Sequence, residues 1–126
     1  MFIALCLASA SAAELVMFEQ AGCPWCEVFD REIATVYGKT PEGTRAPLRR
    51  VDIAKAPPAD LAFIDVERLT PLFVLVEHGS EIGRIRGYPG EEHLWGLLGA
   101  LIKKLDERGT GPERTQIFEN TLHAKS

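Results

Sequence analysis

The sequence predicts a single α/β domain in which helices flank a central mixed four-stranded sheet. Apolar segments follow the order strand, helix, strand, helix, strand, strand, helix across residues 14–108. A helix separates the first two strands, which favours a parallel pair, whereas a tight turn joins the last two and favours an antiparallel pair. The length of 126 residues and the hydrophobic content of 46% suit one domain with its own core.

The first strand and the first helix meet at a pair of cysteines. Residues 14–19 (ELVMFE) form a short apolar run, which predicts a strand buried on both faces. Beyond the cysteines, apolar residues recur at helical spacing until Gly38 and Pro41 stop the pattern. The sequence therefore predicts a helix over 24–37, with Cys23 at the junction between strand and helix.

The middle of the chain predicts a second strand, a short helix and a hairpin. Residues 48–53 (LRRVDI) can form the strand. Residues 57–68 open with a proline pair and carry apolar side chains at helical intervals, which predicts the helix. The apolar run 72–77 (LFVLVE) is separated from 81–86 (EIGRIR) by Gly79-Ser80, a hairpin signal. We expect these two segments to be antiparallel strands.

The last helix is predicted over residues 91–108. Its apolar residues fall on one face, and its acidic residues come first and its basic residues last, which matches the helix dipole. Residues 109–126 are more polar, so we expect them to form a C-terminal tail beyond the domain of residues 14–108.

Residues 1–13 (MFIALCLASASAA) predict a secretory signal peptide. They are uncharged and apolar and end in small residues, as in a leader with an A-x-A-like cleavage site near Ala13 or Glu14. A basic start is missing, so either the leader is truncated at its start or the segment is a buried N-terminal strand. The run is too short for a membrane-spanning helix. The bulky Leu5 disfavours a lipid anchor at Cys6.

Charge and cysteine content narrow the functional classes. The chain has 14 basic and 18 acidic residues, a net charge of −4, and it has no basic stripe. The sequence therefore indicates no basic surface that would attract nucleic acid or anionic membranes. Export would remove Cys6 and leave Cys23 and Cys26, spaced C-x-x-C, as the two thiols of the mature domain.

The motif Cys23-Pro24-Trp25-Cys26 carries the candidate chemistry. Disulfide exchange needs a thiolate, and backbone N–H groups at a helix N-terminus lower the pKa of a cysteine placed there. We therefore predict Cys23 as the nucleophile. Cys26 lies one helical turn further on and can resolve a mixed disulfide by attacking the Cys23 sulfur. Trp25 is either an exposed aromatic contact for partner proteins or a half-buried packing residue.

Two other uses of the cysteine pair stay open. C-x-x-C occurs as half of a zinc site, but His78, His93 and His123 lack ligand spacing, so we expect no metal. It also occurs as a structural bridge, although so short a loop restrains the unfolded chain less than a long-range bridge would. Redox exchange is the preferred interpretation, and it needs no metal or organic cofactor.

Two segments together resemble the thioredoxin superfamily. They are FEQAGCPWCEVF and LTPLFVLVEHGSEIGRIRGYPGEEHLWGLL, and the similarity covers residues 14–107. The resemblance implies the thioredoxin fold, a cis-proline loop at Thr70-Pro71 facing the cysteines, and a glycine beside the site at Gly87. It also implies that the Thr70 backbone pairs with an extended substrate strand and that Pro71 lies near the sulfurs and helps to exclude metal. From the residues alone, Pro71 can simply start a strand and Gly87 can be a turn glycine.

The sequence also departs from that family. Thioredoxins commonly carry a buried carboxylate six residues before the first cysteine, where this chain has Met17. Glu19 and Glu27 are near in sequence, but we expect both to be solvated surface carboxylates. The Pro-Trp pair inside the motif differs from the Gly-Pro of thioredoxins and the Pro-His of periplasmic oxidants, and is closer to the Pro-Tyr of glutaredoxins. Residues 87–90 (GYPG), however, replace the acidic glutathione-binding dipeptide of glutaredoxins.

Within the superfamily, the leader, CPWC, LTPLFVLVE and RGYPGEEHLW are together most similar to the SoxS-type periplasmic thioredoxins of bacterial sulfur-oxidation operons. This resemblance implies a periplasmic thiol-disulfide oxidoreductase that reduces disulfides or mixed disulfides on a cysteine-bearing carrier protein of thiosulfate oxidation. It also implies a membrane thiol electron-transfer protein as the reductant, because an oxidising compartment demands such a supply.

We expect a monomer without a nucleic-acid partner. Two alternative functions stay open: a disulfide oxidase, isomerase or glutaredoxin-like protein, and a non-catalytic thioredoxin-like module that binds a partner.

Overall fold

The computed structural model describes residues 13–109, which form one sheet with helices around it. The strands are β1 (Ala13–Glu19), β2 (Leu48–Asp52), β3 (Leu72–Glu77) and β4 (Ser80–Arg86). The helices are α1 (Pro24–Phe29), α2 (Thr35–Tyr37), α3 (Pro41–Arg45) and α4 (Glu91–Gly109). A π-helical turn (Asp30–Ala34) joins α1 to α2, and a 3₁₀ turn (Ala59–Leu61) follows β2. Residues 1–12 of the predicted leader, with Cys6, and residues 110–126 of the predicted tail lie outside the described residues.

The four strands form one mixed sheet in the order β2-β1-β3-β4. β1 pairs with β2 in parallel and with β3 antiparallel, and β3 and β4 form an antiparallel hairpin. The predicted fold class is therefore confirmed. Phe18 pairs with Leu72, which in turn pairs with Arg86. The carboxyl end of β1, the start of β3 and the end of β4 consequently lie at the same edge of the sheet.

Most predicted elements are confirmed to within one residue at each end: the four strands and the last helix. Ala13, which the sequence assigned to the leader, is the first residue of β1 and is buried. No helix among residues 13–109 is long and apolar enough to cross a membrane.

Side chains of β1 alternate between two cores, one on each face of the sheet. Leu15 and Met17 join the core beneath α1 and α4, whereas Val16 and Phe18 join the core beneath the chain between β2 and β3. The two cysteines belong to the first core. The cysteine motif therefore rests on the helix-covered face of the sheet.

The helix predicted for residues 57–68 is wrong, because only Ala59–Leu61 is helical there. The Leu61 N–H donates to the Pro58 carbonyl, and the Ile64 N–H donates to the Leu61 carbonyl. These bonds span three residues, so two apolar side chains three positions apart both reach the core without an α-helix. Tertiary packing of these side chains therefore overrides the helical periodicity.

The helical region after the cysteines also differs from the prediction. The helical path from Pro24 to Tyr37 has the predicted ends, but a π-helical turn interrupts it, and periodicity does not reveal such turns. α3 was not predicted. Thr40 is its N-cap and accepts a hydrogen bond from the Gly43 N–H at 2.9 Å, and Pro41 fits the first helical position. Pro41 therefore starts a new helix just after the previous one has ended.

Candidate active site

The cysteine pair lies where the central strand β1 turns into α1. Cys23 and Cys26 form a disulfide with their Cα atoms 5.2 Å apart, and both residues are buried. Cys23 is the N-cap of α1, and its Sγ accepts a hydrogen bond from the Cys26 backbone N–H at 3.2 Å. Once the disulfide is reduced, a backbone N–H aimed at this sulfur stabilises its thiolate form.

Local residues explain the sharp turn between strand and helix. Gly22 has a φ of +77°, a backbone conformation that favours glycine. Pro24 lies in the first helical turn, where its missing N–H breaks no intrahelical bond. Trp25 exposes 59% of its surface beside the cysteines. The tryptophan is therefore exposed instead of half-buried, and its predicted contact with partner proteins stays a prediction.

The Thr70-Pro71 segment reaches the same edge of the sheet, directly before β3. The peptide bond between the two residues is cis, the geometry that the resemblance implied, and Pro71 is buried. The Pro71 carbonyl accepts a hydrogen bond from the Gly87 N–H at 2.8 Å. The Thr70 Oγ1 accepts another from the Gln20 Nε2 at 3.2 Å. The segment is thus tied both to the end of β4 and to the turn before Cys23.

Gly87 follows β4 at this edge with a φ of +80°. Nothing lies within 4 Å of the place where a Cβ would stand, so the backbone conformation demands glycine and steric crowding does not. The residues that the sequence proposed for the site are therefore gathered at one edge of the sheet. They are Cys23, Pro24, Trp25, Cys26, Thr70, Pro71 and Gly87.

Solved structures of thioredoxins resemble this chain. The periplasmic thioredoxin SoxS from Paracoccus pantotrophus, in its reduced form, is 41% identical to this chain and superposes with a TM-score of 0.69. The similarity covers 74% of this chain and 98% of that one. The chain belongs to the thioredoxin superfamily. This membership and its disulfide-bonded cysteine pair make it a protein thiol-disulfide oxidoreductase.

More distant thioredoxins share the fold. A thioredoxin from Malassezia sympodialis is 22% identical with a TM-score of 0.52, and the similarity covers 71% of this chain and 75% of that one. Thioredoxin f2 from Chlamydomonas reinhardtii is 16% identical with a TM-score of 0.56, and the similarity covers 71% of this chain and 79% of that one. No protein-family model matches the chain. No curated protein matches it either.

At the position of the usual buried carboxylate, this thioredoxin places a fully buried methionine beside an arginine. The Arg50 Nη1 donates to the Met17 Sδ at 3.8 Å and to Glu19 at 2.9 Å, and the Nη2 donates to Asp30 at 2.7 Å. Partial burial lowers the pKa of Arg50, but its bonds to Asp30 and Glu19 outweigh this, and the net shift is upward. Glu19 is therefore held in an ion pair instead of being simply solvated, whereas Glu27 is exposed as predicted.

Tyr88 fastens the loop after β4 to the helical region. It is buried, its ring packs edge-on against Phe29 at 5.9 Å, and its hydroxyl donates to the Glu32 Oε1 at 2.6 Å. Burial and this carboxylate raise the pKa of Tyr88, so the hydroxyl keeps its proton. Neither Tyr88 nor Gln20 was predicted from the sequence as a site residue. Their only signals are an aromatic residue beside a glycine and a polar residue after a strand, and both are common in turns.

The loop before Thr70 is fastened to the edge strand by ion pairs. Glu67 binds Arg84 and Arg86 of β4, each at 2.8 Å, and the Arg84 Nη1 also donates to the Asp65 carbonyl at 3.0 Å. Arg84 pairs with Glu81 as well, at 2.6 Å. The hydrogen bond from Arg86, ahead of the contribution of Arg84, lowers the pKa of Glu67. These contacts hold the loop through the Glu67 carboxylate and the Asp65 carbonyl.

Residues 13–109 contain no grouping of side chains suited to a metal ion. No cluster of three or more His, Cys, Asp or Glu side chains lies in this part of the chain. The sulfurs of Cys23 and Cys26 are bonded to each other.

Proposed function

We propose that this thioredoxin is a periplasmic reductase of protein disulfides, with Cys23 as the nucleophile and Cys26 as the resolving residue. Exposure does not separate the two cysteines, since 6% of Cys23 and 4% of Cys26 is accessible. The helix cap does. The Cys23 Sγ accepts the Cys26 N–H and lies at the positive end of the helix, and both effects lower the pKa of a thiol.

The proposed reaction moves two electrons from the cysteine pair to the partner. The Cys23 thiolate attacks one sulfur of the partner disulfide, and the other partner sulfur leaves as a thiolate and takes up a proton. Cys26 then gives up its proton and attacks the Cys23 sulfur. The second partner sulfur leaves and is protonated in turn. The Cys23–Cys26 disulfide in the structure corresponds to the product of this cycle, and an external dithiol must reduce it again.

We assign substrate binding to the sheet edge around the cysteines. Trp25 offers an exposed aromatic surface beside them. Among residues 13–109, no backbone group pairs with the N–H or the carbonyl of Thr70, so both can pair with an extended strand of the partner. Pro71 and Gly87 lie on either side of a backbone hydrogen bond that shapes this edge.

The compartment and the partner are proposed from the resemblance. The solved relative is named as a periplasmic thioredoxin, and residues 1–13 read as a leader. We propose that the partner is a cysteine-bearing carrier protein of thiosulfate oxidation. We propose a membrane thiol electron-transfer protein as the reductant, because the periplasm itself supplies no reducing thiols.

Trapping tests the proposal directly. The Cys26→Ser variant cannot resolve, so incubation with periplasmic extract of a sulfur-oxidising bacterium should accumulate a mixed disulfide on Cys23. Mass spectrometry of the reductant-released partner should identify the carrier protein. The matched Cys23→Ser variant should trap nothing, because serine is a good N-cap that preserves the helix but lacks the nucleophilic sulfur. A complex formed through Cys26 would contradict the assigned roles, and a different partner would contradict the proposed substrate.

A further inference from the structure

The β1–β3 ladder stops at the active site, and a pair of side chains continues it. The two strands pair antiparallel up to Phe18 and Leu72, so the same register places Gln20 opposite Thr70. Pro71 lies between Thr70 and Leu72 and has no N–H to donate, so the backbone ladder cannot continue past this point. The Gln20 Nε2 instead donates to the Thr70 Oγ1 at 3.2 Å. This bond joins the turn before the cysteines to the proline loop.

The contact restrains Thr70 without using its backbone. Threonine is branched at Cβ, so a fixed Oγ1 leaves few side-chain and backbone conformations. The Thr70 N–H and carbonyl have no backbone partner among residues 13–109. A hydroxyl can donate as well as accept, so the link survives a flip of the Gln20 amide. Thr70 is therefore held in place through its side chain, while its backbone N–H and carbonyl remain without a backbone partner among residues 13–109.

We propose that Gln20 is a positioning residue that presets Thr70 for an extended polypeptide, so that the protein favours polypeptide disulfides over small ones. This inference rests on the proposed function. Ordering a loop costs conformational entropy, and a loop that is ordered in advance spares the incoming strand that cost. A small disulfide has no strand to pair with Thr70, so it gains nothing from the link.

The test compares two substrates with the same leaving group. Cysteine in a short extended peptide, and cysteine amide alone, are each joined by a disulfide to 3-carboxy-4-nitrothiophenol, which is coloured when released. The full-length protein is reduced beforehand, and release is followed at low substrate concentration. The ratio of kcat/KM for the peptide to kcat/KM for cysteine amide isolates the gain from the peptide strand.

Gln20→Ala should lower this ratio by about threefold to tenfold, the effect of one lost hydrogen bond on docking. Gln20→Glu should restore most of the ratio, because its carboxylate accepts a hydrogen bond from the Thr70 hydroxyl. The added negative charge near Cys23 affects both substrates alike and cancels in the ratio. Thr44→Ala, an exposed change in α3, should leave the ratio unchanged.

Two outcomes overturn the inference: an unchanged ratio in Gln20→Ala, and equal losses with both substrates, which would mean that Gln20 acts on the cysteines themselves. Failure of Gln20→Glu to restore the ratio would also overturn it. If the unaltered protein reduces neither substrate, the proposed function fails instead, and the two failures are therefore distinguishable.

Discussion

The cysteine side of the active site is held by contacts within four residues of sequence, whereas the proline side is held by contacts across the chain. Cys23 caps the helix that it begins, and the backbone N–H of Cys26, three residues later, donates to its sulfur. Thr70, in contrast, is linked to Gln20, which lies 50 positions earlier. Ion pairs from Arg84 fasten the loop before Thr70 to β4.

This difference implies that the reactivity of the cysteines and the docking of a polypeptide depend on different contacts. A local cap forms whenever the helix forms, so the reactivity of Cys23 depends little on the rest of the molecule. The proline loop needs β1, β4 and the loop before Thr70 to be in place together. Substitutions in the long-range contacts should therefore change stability and polypeptide docking, and leave the exchange chemistry of the cysteines largely intact.

The largest effect on the proline side is expected from Arg84→Ala. Its side chain is only 14% exposed and binds Glu67, Glu81 and the Asp65 carbonyl, so its removal takes the arginine partner from the Glu81 carboxylate and from this carbonyl, while Glu67 keeps Arg86. We expect a loss of about 1 to 3 kcal/mol in the free energy of unfolding, measured by urea denaturation.

Arg86→Ala is the matched control, because the Arg86 side chain is 56% exposed and shares the same partner, Glu67. Exposed ion pairs contribute little, so its cost should be clearly smaller than that of Arg84→Ala. Equal costs for the two arginines would show that Arg84 does not fasten the loop.

A smaller effect is expected from Gly87→Ala. The positive φ of Gly87 is strained for any residue with a Cβ, although there is space for the methyl group. The change should cost about 1 kcal/mol in unfolding free energy. Gly96→Ala, in the exposed face of α4 with nothing within 4 Å, should instead stabilise by up to about 1 kcal/mol. If both changes stabilise the protein, the backbone at position 87 is not restrained as described.

The smallest expected effect is a pH dependence of stability that comes from Tyr88, which fastens the loop after β4 to the helical region. Burial raises the pKa of Tyr88, with a further rise from Glu32, and burial raises that of Tyr37, with a further rise from Glu42. A raised pKa in the folded state stabilises the fold below the unfolded value of about 10, and this contribution is lost as the pH rises above it.

The chain has 2 tyrosines, so tyrosinate absorbance should be nearly absent from the folded protein at about pH 10.5 and present in urea. Tyr88→Phe should remove part of the loss of stability at high pH. Half-ionised absorbance in the folded protein at pH 10 would mean that one of the two hydroxyls is open to water.

The same comparison explains what could be predicted from the sequence. The strand β3, the hairpin and α4 follow from local patterns, and the structure confirms them. The C-x-x-C motif is visible in the sequence itself, and its two cysteines form a disulfide in the structure. The helix predicted for residues 57–68 fails because Leu61 and Ile64 pack into the core through 3₁₀ bonds. The contacts of Arg50 with Met17 and of Gln20 with Thr70 depend on which strands pair and in which register. Periodicity along one segment contains no such information.

The reduction potential of the Cys23–Cys26 disulfide tests the central claim most directly. The protein would be equilibrated with buffers of defined thiol-to-disulfide ratio, its free thiols alkylated, and the two forms quantified by mass spectrometry. A reductase should give a value near that of thioredoxin, about −270 mV. A value of about −120 mV would make the protein an oxidant and would contradict the proposed direction of electron flow.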